Sequence, residues 1–268
     1  MNGALFRSGM RQTAGTVGNY GVGMLCYLLL FIGVYPSFAH AKALNALLKS
    51  LPSGLLRVLG YNVGVTHLAG FLGGEFYSLI YLLIFGIFAI FAATKMVAHL
   101  IDNGTMAHLL ATQVSRRGVA VTQALVLLVD TVVIGAVTTV GALLGAHWLV
   151  HQSGLDVGAF VRLNIVGTLL FAVVGAYSFL FSCVAPDERT ALSWSAVLTL
   201  LFYGLRVVGD MARGARWMGH LSLFDAFNSQ QLIHGEGPFV LDALGLAVAA
   251  AALLIVAVVG LERRQLSL

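Results

Sequence analysis

Long apolar stretches, separated by short segments that carry the charges, dominate the chain. Crossing a bilayer takes about 20 residues of helix, and six of the stretches are long enough. Their apolar parts cover about residues 20–38, 76–97, 121–150, 163–184, 191–208 and 239–261. Residues 39–75 and 210–238 then form external connections, the first of them amphipathic because leucines recur at helical spacing. Residues 98–118 form the longest internal connection.

The composition agrees with a membrane protein and excludes water-soluble classes. Of the 268 residues, 59% are hydrophobic and 10% are charged, whereas soluble domains average about 45–50% and about 25%. A soluble globule of this size could not cover its surface with so few charges, and a disordered chain would be less apolar. We therefore expect an all-α polytopic membrane protein, with residues 1–268 forming a single transmembrane domain.

Basic residues near the two ends predict the orientation. Arg7 and Arg11 precede the first span, and Arg263 and Arg264 follow the last. Since basic residues flank spans on the cytoplasmic side, this favours two cytoplasmic termini in the cell (plasma or inner) membrane. The basic residues of the internal and external connections are nearly equal in number, so this prediction depends on the ends. The first apolar run is longer than the h-region of a signal peptide, and we expect it to remain in the mature protein.

Charged residues inside spans are costly and suggest function. Asp130 lies in the third span and Arg206 in the fifth. Lys95, near the internal end of the second span, is a candidate partner for Asp130, either to fix the hairpin of these spans or to serve function. Arg206 and Asp210 lie one helical turn apart, which predicts a local ion pair.

Two further patterns have a structural and a functional interpretation. Phe85, Phe88 and Phe91 form a stripe on the second span; such a stripe normally packs or faces lipid, and the alternative is that it lines an apolar substrate path. His147 and His151 have the spacing of two zinc ligands, but no third ligand accompanies them. We therefore expect no metal site.

The internal connection carries the most specific pattern. Its sequence from 98 to 117 is Ala-His-Leu-Ile-Asp-Asn-Gly-Thr-Met-Ala-His-Leu-Leu-Ala-Thr-Gln-Val-Ser-Arg-Arg. Asn103 or Thr105 could cap a short helix here. Met106, Leu109 and Leu110 would form one apolar face of that helix. Such a helix rests on lipid headgroups, which composition alone favours, or enters a groove on a soluble partner.

This segment resembles the membrane subunits of ABC-2-type ABC transporters. Between their second and third spans, these subunits have an acidic residue, a Gly-Thr pair, Leu-Leu-Ala-Thr and Pro-Val-Ser-Arg. The chain has matching residues in the same order and spacing: Asp102, Gly104, Thr105, Leu109, Leu110, Ala111, Thr112, Val114, Ser115 and Arg116. The six-span layout is also similar, and residues 223–227 resemble the family's aromatic stretch before the last span. Two positions depart: Asn103 breaks the family's glutamate pair, and Gln113 replaces its proline.

The resemblance implies an ABCG-like half-transporter of the type V exporter kind, working as a dimer with a second copy or a homologous permease. The internal segment would be the coupling helix that docks on the nucleotide-binding subunit. The coupling residues would be Asp102, Gly104, Thr105, Met106, Leu109, Leu110, Ala111, Thr112, Ser115 and Arg116.

The chain would then be a transport subunit rather than an enzyme. None of its lysines lies in a P-loop pattern, so two separate ABC ATPase subunits would bind ATP and Mg. Lipid is an expected partner and nucleic acid is not. The cargo is not fixed by this pattern. Two other classes remain as alternatives: an intramembrane hydrolase, for which no nucleophile and base are evident, and a non-transporting membrane anchor or immunity protein.

Overall fold

Six long helices form most of the part of the protein that the structure describes. The computed structural model describes residues 3–39, 68–102, 104–106, 115–150, 156–211, 213–234 and 238–264. The long helices in these ranges are α1 (Gly3–Ala39), α2 (Leu68–Asp102), α3 (Arg116–Leu149), α4 (Val157–Val184), α5 (Glu188–Met211) and α6 (Phe239–Arg263). Each is long and apolar enough to cross a membrane. The prediction of an all-α fold with six spans is therefore confirmed.

The chain between α5 and α6 folds into short helical pieces. Two of them are α-helical, Arg216–His220 and Ser229–His234. The other two are 3₁₀ turns, Arg213–Ala215 and Leu223–Ala226. This connection therefore stays close to the ends of the long helices instead of extending away from them.

Several helices continue past the apolar spans predicted from sequence. α1 begins at Gly3, well before the first apolar stretch. α2 begins at Leu68, inside the connection predicted for residues 39–75, and ends at Asp102. A helix satisfies its own backbone hydrogen bonds and so need not stop where the hydrocarbon does. The predicted amphipathic segment lies mostly within residues 40–67, outside the described residues.

After a first α-helical turn, Leu68–Phe71, α2 contains a π-helical stretch, Leu72–Ile80. The Gly73 carbonyl oxygen there accepts hydrogen bonds from the hydroxyls of Ser78 (2.7 Å) and Ser229 (2.9 Å). One turn on, the side-chain amide of Asn164 in α4 donates to the Tyr77 hydroxyl at 3.0 Å. The wide turn is thus held by polar contacts with α4 and with the connection before α6.

Helix α4 lies at the centre of the bundle and packs against α2, α3, α5 and α6. Glycines permit its closest approaches: Gly167 lies against the Tyr81 ring and Gly175 against Leu127. Phe85 of α2 stacks on Phe171 of α4, with ring centroids 4.5 Å apart. The core is therefore built around α4.

Helix α1 packs mainly against α3. Gly141 and Gly145, one turn apart on α3, face the side chains of Leu25, Leu29 and Ile32 on α1. This small-xxx-small pair lets the two helices approach closely, as in many membrane proteins.

The Gly167 contact predicts a strong effect of a single methyl group. In Gly167→Ala, the new Cβ would lie 2.5 Å from the Tyr81 hydroxyl oxygen and 2.9 Å from a ring carbon. Because this ring is fully buried, it cannot move aside, and we expect a loss of about 1–3 kcal/mol in the free energy of unfolding. Thermal unfolding of the detergent-purified chain measures this change.

Gly245→Ala on α6 is the matched control. No atom lies within 4 Å of the position that the new Cβ would take, so the better helix propensity of alanine should leave stability equal or slightly higher. Equal melting temperatures for the two variants would contradict the tight α2–α4 contact.

Candidate functional site

The end of α2 is tied to the start of α5 by two polar contacts. The Asp102 carboxylate accepts a hydrogen bond from the Glu188 backbone N–H at 2.8 Å. His99 Nδ1 lies 2.8 Å from the Glu188 carboxylate. The first N–H groups of a helix lack partners within it, and a negative charge there is favourable. Asp102, predicted as a coupling residue, therefore caps a helix that lies far away in sequence.

A second carboxylate supports the same helix start. Asp187 accepts hydrogen bonds from the Thr190 backbone N–H at 2.8 Å and from the Thr190 hydroxyl at 3.0 Å. These bonds lower the pKa of Asp187 below its usual value, so the cap is ionised at neutral pH. The start of α5 is thus held from within by Asp187 and from α2 by Asp102.

Ser182 of α4 contacts the backbone of α2 directly. Its hydroxyl donates to the Thr94 carbonyl oxygen at 2.9 Å and accepts from the Ala98 N–H at 2.8 Å. In a regular helix these two backbone groups are i→i−4 partners, so the hydroxyl bridges them from outside. Ser182 is fully buried. The internal end of α2 is therefore fastened to α4 as well as to α5.

Gly104 ends α2 and redirects the chain. Its φ of 71° lies in the left-handed region, which glycine adopts without steric cost at a helix C-terminus. Thr105 and Met106 are again helical, and the Met106 side chain is only 1% exposed, packed in the main core. Met106 therefore anchors this segment on its own subunit rather than presenting itself to solvent.

The far end of the segment is fixed by a cap and by an arginine. The Ser115 hydroxyl accepts from the Gly118 N–H at 3.1 Å and so caps α3. The Arg116 guanidinium donates to the Arg264 carbonyl oxygen at 2.7 Å, just past the end of α6. The Arg264 guanidinium in turn donates to the Cys183 carbonyl oxygen at 2.9 Å. Helix termini from α2, α3, α4, α5 and α6 thus meet at one end of the bundle, called here the coupling end.

The middle of the predicted coupling helix lies outside the described residues. It comprises Leu109, Leu110, Ala111 and Thr112. Their role in docking stays a prediction. In the described flanks, Asp102 and Arg116 attach the two ends of this segment by polar contacts, and Met106 attaches it by apolar packing.

The predicted ion pair between Lys95 and Asp130 is wrong. Asp130 is 1% exposed, and the side chain that meets its carboxyl group is Thr13 of α1. One of its carboxylate oxygens has no hydrogen-bond partner among the described residues. Lys95 instead borders a cavity between α1 and α2. Lys95 is not the partner because the Asp130 face of α3 turns toward α1 and not toward α2.

Arg206 forms the predicted ion pair and two further hydrogen bonds. Its Nε lies 3.2 Å from Asp210 Oδ2. Its guanidinium also donates to the carbonyl oxygens of Phe224 and, at 3.1 Å, of Phe227. Phe227 stacks on Tyr81 of α2. Arg206 therefore fastens the aromatic stretch 223–227 to α5 at the end of the bundle opposite the coupling end.

The three phenylalanines of α2 occupy different environments. Phe85 is fully buried in the stack with Phe171. Phe88 is buried and makes an edge contact with Tyr20 of α1, whereas Phe91 is 40% exposed. Phe88 and Phe91 border the same cavity as Lys95. Whether they line a substrate path stays a prediction.

The described residues contain no group of three or more His, Cys, Asp or Glu side chains that could hold a metal ion. His147 lies near the end of α3, whereas His151 falls outside the described residues.

A comparison with protein families decides the class. The family model "Multidrug efflux system permease Rv1217c, C-terminal domain" matches residues 9–262. The chain belongs to this efflux permease family. The match confirms the resemblance to ABC-2-type membrane subunits and, with the six apolar helices, makes the permease a multi-pass membrane protein. Comparison with curated proteins finds no match.

Two polar residues of the permease were missed in the sequence. Ser182 lies inside the apolar run of the fourth span and Gln123 inside that of the third. A polar side chain in a span is a signal for a contact across helices. A polar residue in an apolar span does not indicate which helix its side chain contacts.

The Asp102 cap predicts a local effect on α5 of the permease. In Asp102→Ala the Glu188 N–H loses its acceptor, so hydrogen exchange at the start of α5 should become faster, while Asp102→Asn, which keeps an acceptor oxygen, should change it less. Hydrogen-exchange mass spectrometry on the purified permease measures this. Asp156→Ala is the control, because Asp156 caps α4 through the Gly158 N–H at the opposite end. Faster exchange of α5 in this control as well would argue against a specific cap.

Removing the Ser182 hydroxyl should lower stability, whereas removing the hydroxyl of a neighbouring serine should not. Ser182→Ala should lower the free energy of unfolding by about 1 kcal/mol, the usual worth of a buried hydrogen bond. Ser178, one turn earlier on α4, is equally buried, but its hydroxyl has no partner among the described residues. Ser178→Ala should therefore leave the melting temperature equal or higher. The reverse order of the two melting temperatures would refute the bridge.

Proposed function

We propose that the permease is the membrane subunit of an ATP-driven exporter, in which a separate nucleotide-binding subunit hydrolyses ATP and drives substrate across the cell membrane. The observation that carries the proposal is the attachment of Asp102, of Arg116 and of the adjoining end of α2 to three other helices. Asp102 contacts α5, Ser182 fastens α2 to α4, and Arg116 contacts the end of α6. A segment attached in this way fits a coupling role in an efflux permease.

Force on the segment would reach the bundle by two routes. Displacement of Asp102 would pull on the first turn of α5 through the Glu188 N–H. Displacement of α2 would move α4 through Ser182, whose hydroxyl bridges the backbone at Thr94 and Ala98. Because α4 packs against four helices, its movement would rearrange the spans together, as alternating access requires.

The positions of the termini support a cytoplasmic ATPase. Arg264 follows α6 and contacts both Arg116 and the end of α4. Gly9, near the start of α1, lies against Val126 and Gln123 in the first turns of α3. Both ends of the described chain thus lie at the coupling end, and the positive-inside rule assigns this end to the cytoplasm. ATP and Mg would bind there on the partner subunits and not on this chain.

The exposed faces of the helices support assembly with a second copy. α5 is the least buried of the six spans, with only 11% of its most apolar window buried, and α1 and α6 follow with 22% each. Val197, Leu200 and Leu201 form an exposed apolar patch on α5. Two permeases facing each other through α1 and α5, with two ATPase subunits below, would cover these surfaces.

Charge substitutions on the predicted apolar face of the coupling helix test the proposal. In the double variant Leu109→Glu and Leu110→Glu, two acidic groups would have to enter an apolar groove, so binding to the partner ABC ATPase should weaken by about tenfold or more. Co-purification of that ATPase with the permease, and stimulation of its ATP hydrolysis, are the measurements.

Two control variants distinguish loss of ATPase binding from loss of ATPase stimulation. Leu221→Glu adds a charge at an exposed leucine of the opposite end and should leave both readouts unchanged. Ser182→Ala should preserve co-purification but reduce the stimulation, since the bridge acts after docking. Unchanged co-purification of the ATPase and unchanged stimulation of its ATP hydrolysis in the Leu109 and Leu110 variant would contradict the proposal.

A further inference from the structure

A cavity of about 470 Å³ lies between α1 and α2 toward the coupling end. Small-molecule sites span about 300–1,000 Å³, so it is large enough for a ligand. Its apolar wall includes Tyr20, Phe88, Phe91 and Ala92, and its polar wall includes Lys95 and Gln123. The edge contact between Tyr20 and Phe88, with ring centroids 5.5 Å apart, joins the two helices at this wall. The cavity therefore has an apolar part and a polar part.

The charge around this cavity is positive. Lys95 borders it and has no ion-pair partner among the described residues. His99, the other basic side chain of the lining, is engaged with Glu188. The lining includes no Asp or Glu; two acids contact lining residues, Glu188 at His99 and Asp130 at Thr13. A single uncompensated ammonium group in an otherwise neutral pocket favours an anion.

Gln123 is a second polar residue of the cavity that is available to a ligand. Its side chain is only 7% exposed, and it makes no hydrogen bond with another described residue. An amide group that makes no hydrogen bond within the described residues can donate one to a ligand. Gln123 borders the cavity together with Gly9 and Thr13 of α1, so a ligand there would reach its amide group.

We propose that this cavity binds an amphiphile with one acidic headgroup. The carboxylate or phosphate of the ligand would lie at Lys95 and accept a hydrogen bond from the Gln123 amide, and its chain or ring would lie against Phe88 and Phe91. Two sources share this chemistry: an anionic phospholipid of the surrounding leaflet and a free acidic amphiphile, such as a cargo. The site belongs to the permease helices alone, so its test needs no ATPase and is independent of the proposed coupling.

A photoactivatable diazirine analogue of palmitic acid tests the site. The full chain is placed in nanodiscs of phosphatidylcholine, irradiated over a range of probe concentrations, and mapped by peptide mass spectrometry. We expect saturable labelling of the facing segments of α1 and α2. Lys95→Gln should raise the half-saturating concentration about tenfold, the effect of losing one charge-assisted contact, while Lys95→Arg should largely keep it.

Three comparisons make the result specific. Arg117→Gln removes a cation from the same end, in the groove between α3 and α6, and should not alter labelling. The uncharged alcohol analogue of the probe should label wild type and Lys95→Gln equally weakly. Ala92→Phe fills the cavity without changing its charge, since Ala92 is a buried part of its wall, and should reduce labelling by the acid.

Adding phosphatidylglycerol to the nanodiscs distinguishes the two sources. Loss of labelling would assign the site to a membrane lipid, and unchanged labelling would assign it to a free amphiphile. Either result supports the acidic-headgroup site. Equal half-saturation for wild type and Lys95→Gln, or equal labelling of wild type by the acid and the alcohol, would overturn it.

Discussion

The packing of α4 against four neighbouring helices is the constraint on which the rest of the structure depends. Of the six spans, α4 has the most buried apolar window, and its glycines let Tyr81 and Leu127 approach its backbone. A helix enclosed in this way cannot shift alone, because close-packed side chains have no empty space to enter. Any contact that reaches α4 therefore reaches the whole bundle. The Ser182 hydroxyl is such a contact, since it joins α4 to the backbone of α2.

The coupling end is held together differently from the rest of the bundle. In the core, apolar side chains make contacts that have no preferred direction and tolerate small displacements. At the coupling end, Asp102, Ser115 and Arg116 form hydrogen bonds to backbone groups at the ends of α5, α3 and α6. Such bonds weaken steeply when their angle or length changes. The same helices are thus held by directional hydrogen bonds at one end and by close apolar packing along their middle.

The sequence predicted the fold better than the site, and the reason is physical. Six spans follow from where charges are absent, which is a local property of each segment. The contacts that join different helices at the coupling end connect residues more than eighty positions apart, such as Asp102 with Glu188, and no local pattern encodes such a pairing. For Asp130 the adjacent span was the wrong partner, because Thr13 of α1 meets its carboxyl group. The Arg206 pair was predicted correctly because it is confined to one helical turn.

The Ser182 bridge divides α2 into unequal arms. At 1.5 Å per residue, about 10 Å of helix separates the bridge from Asp102, and about 40 Å separates it from Leu68. The short arm carries the cap of α5, and the long arm carries the contacts of Tyr81 and Phe85 with α4. The position of one serine along α4 thus separates the part of α2 that belongs to the coupling end from the part that is locked into the close-packed core.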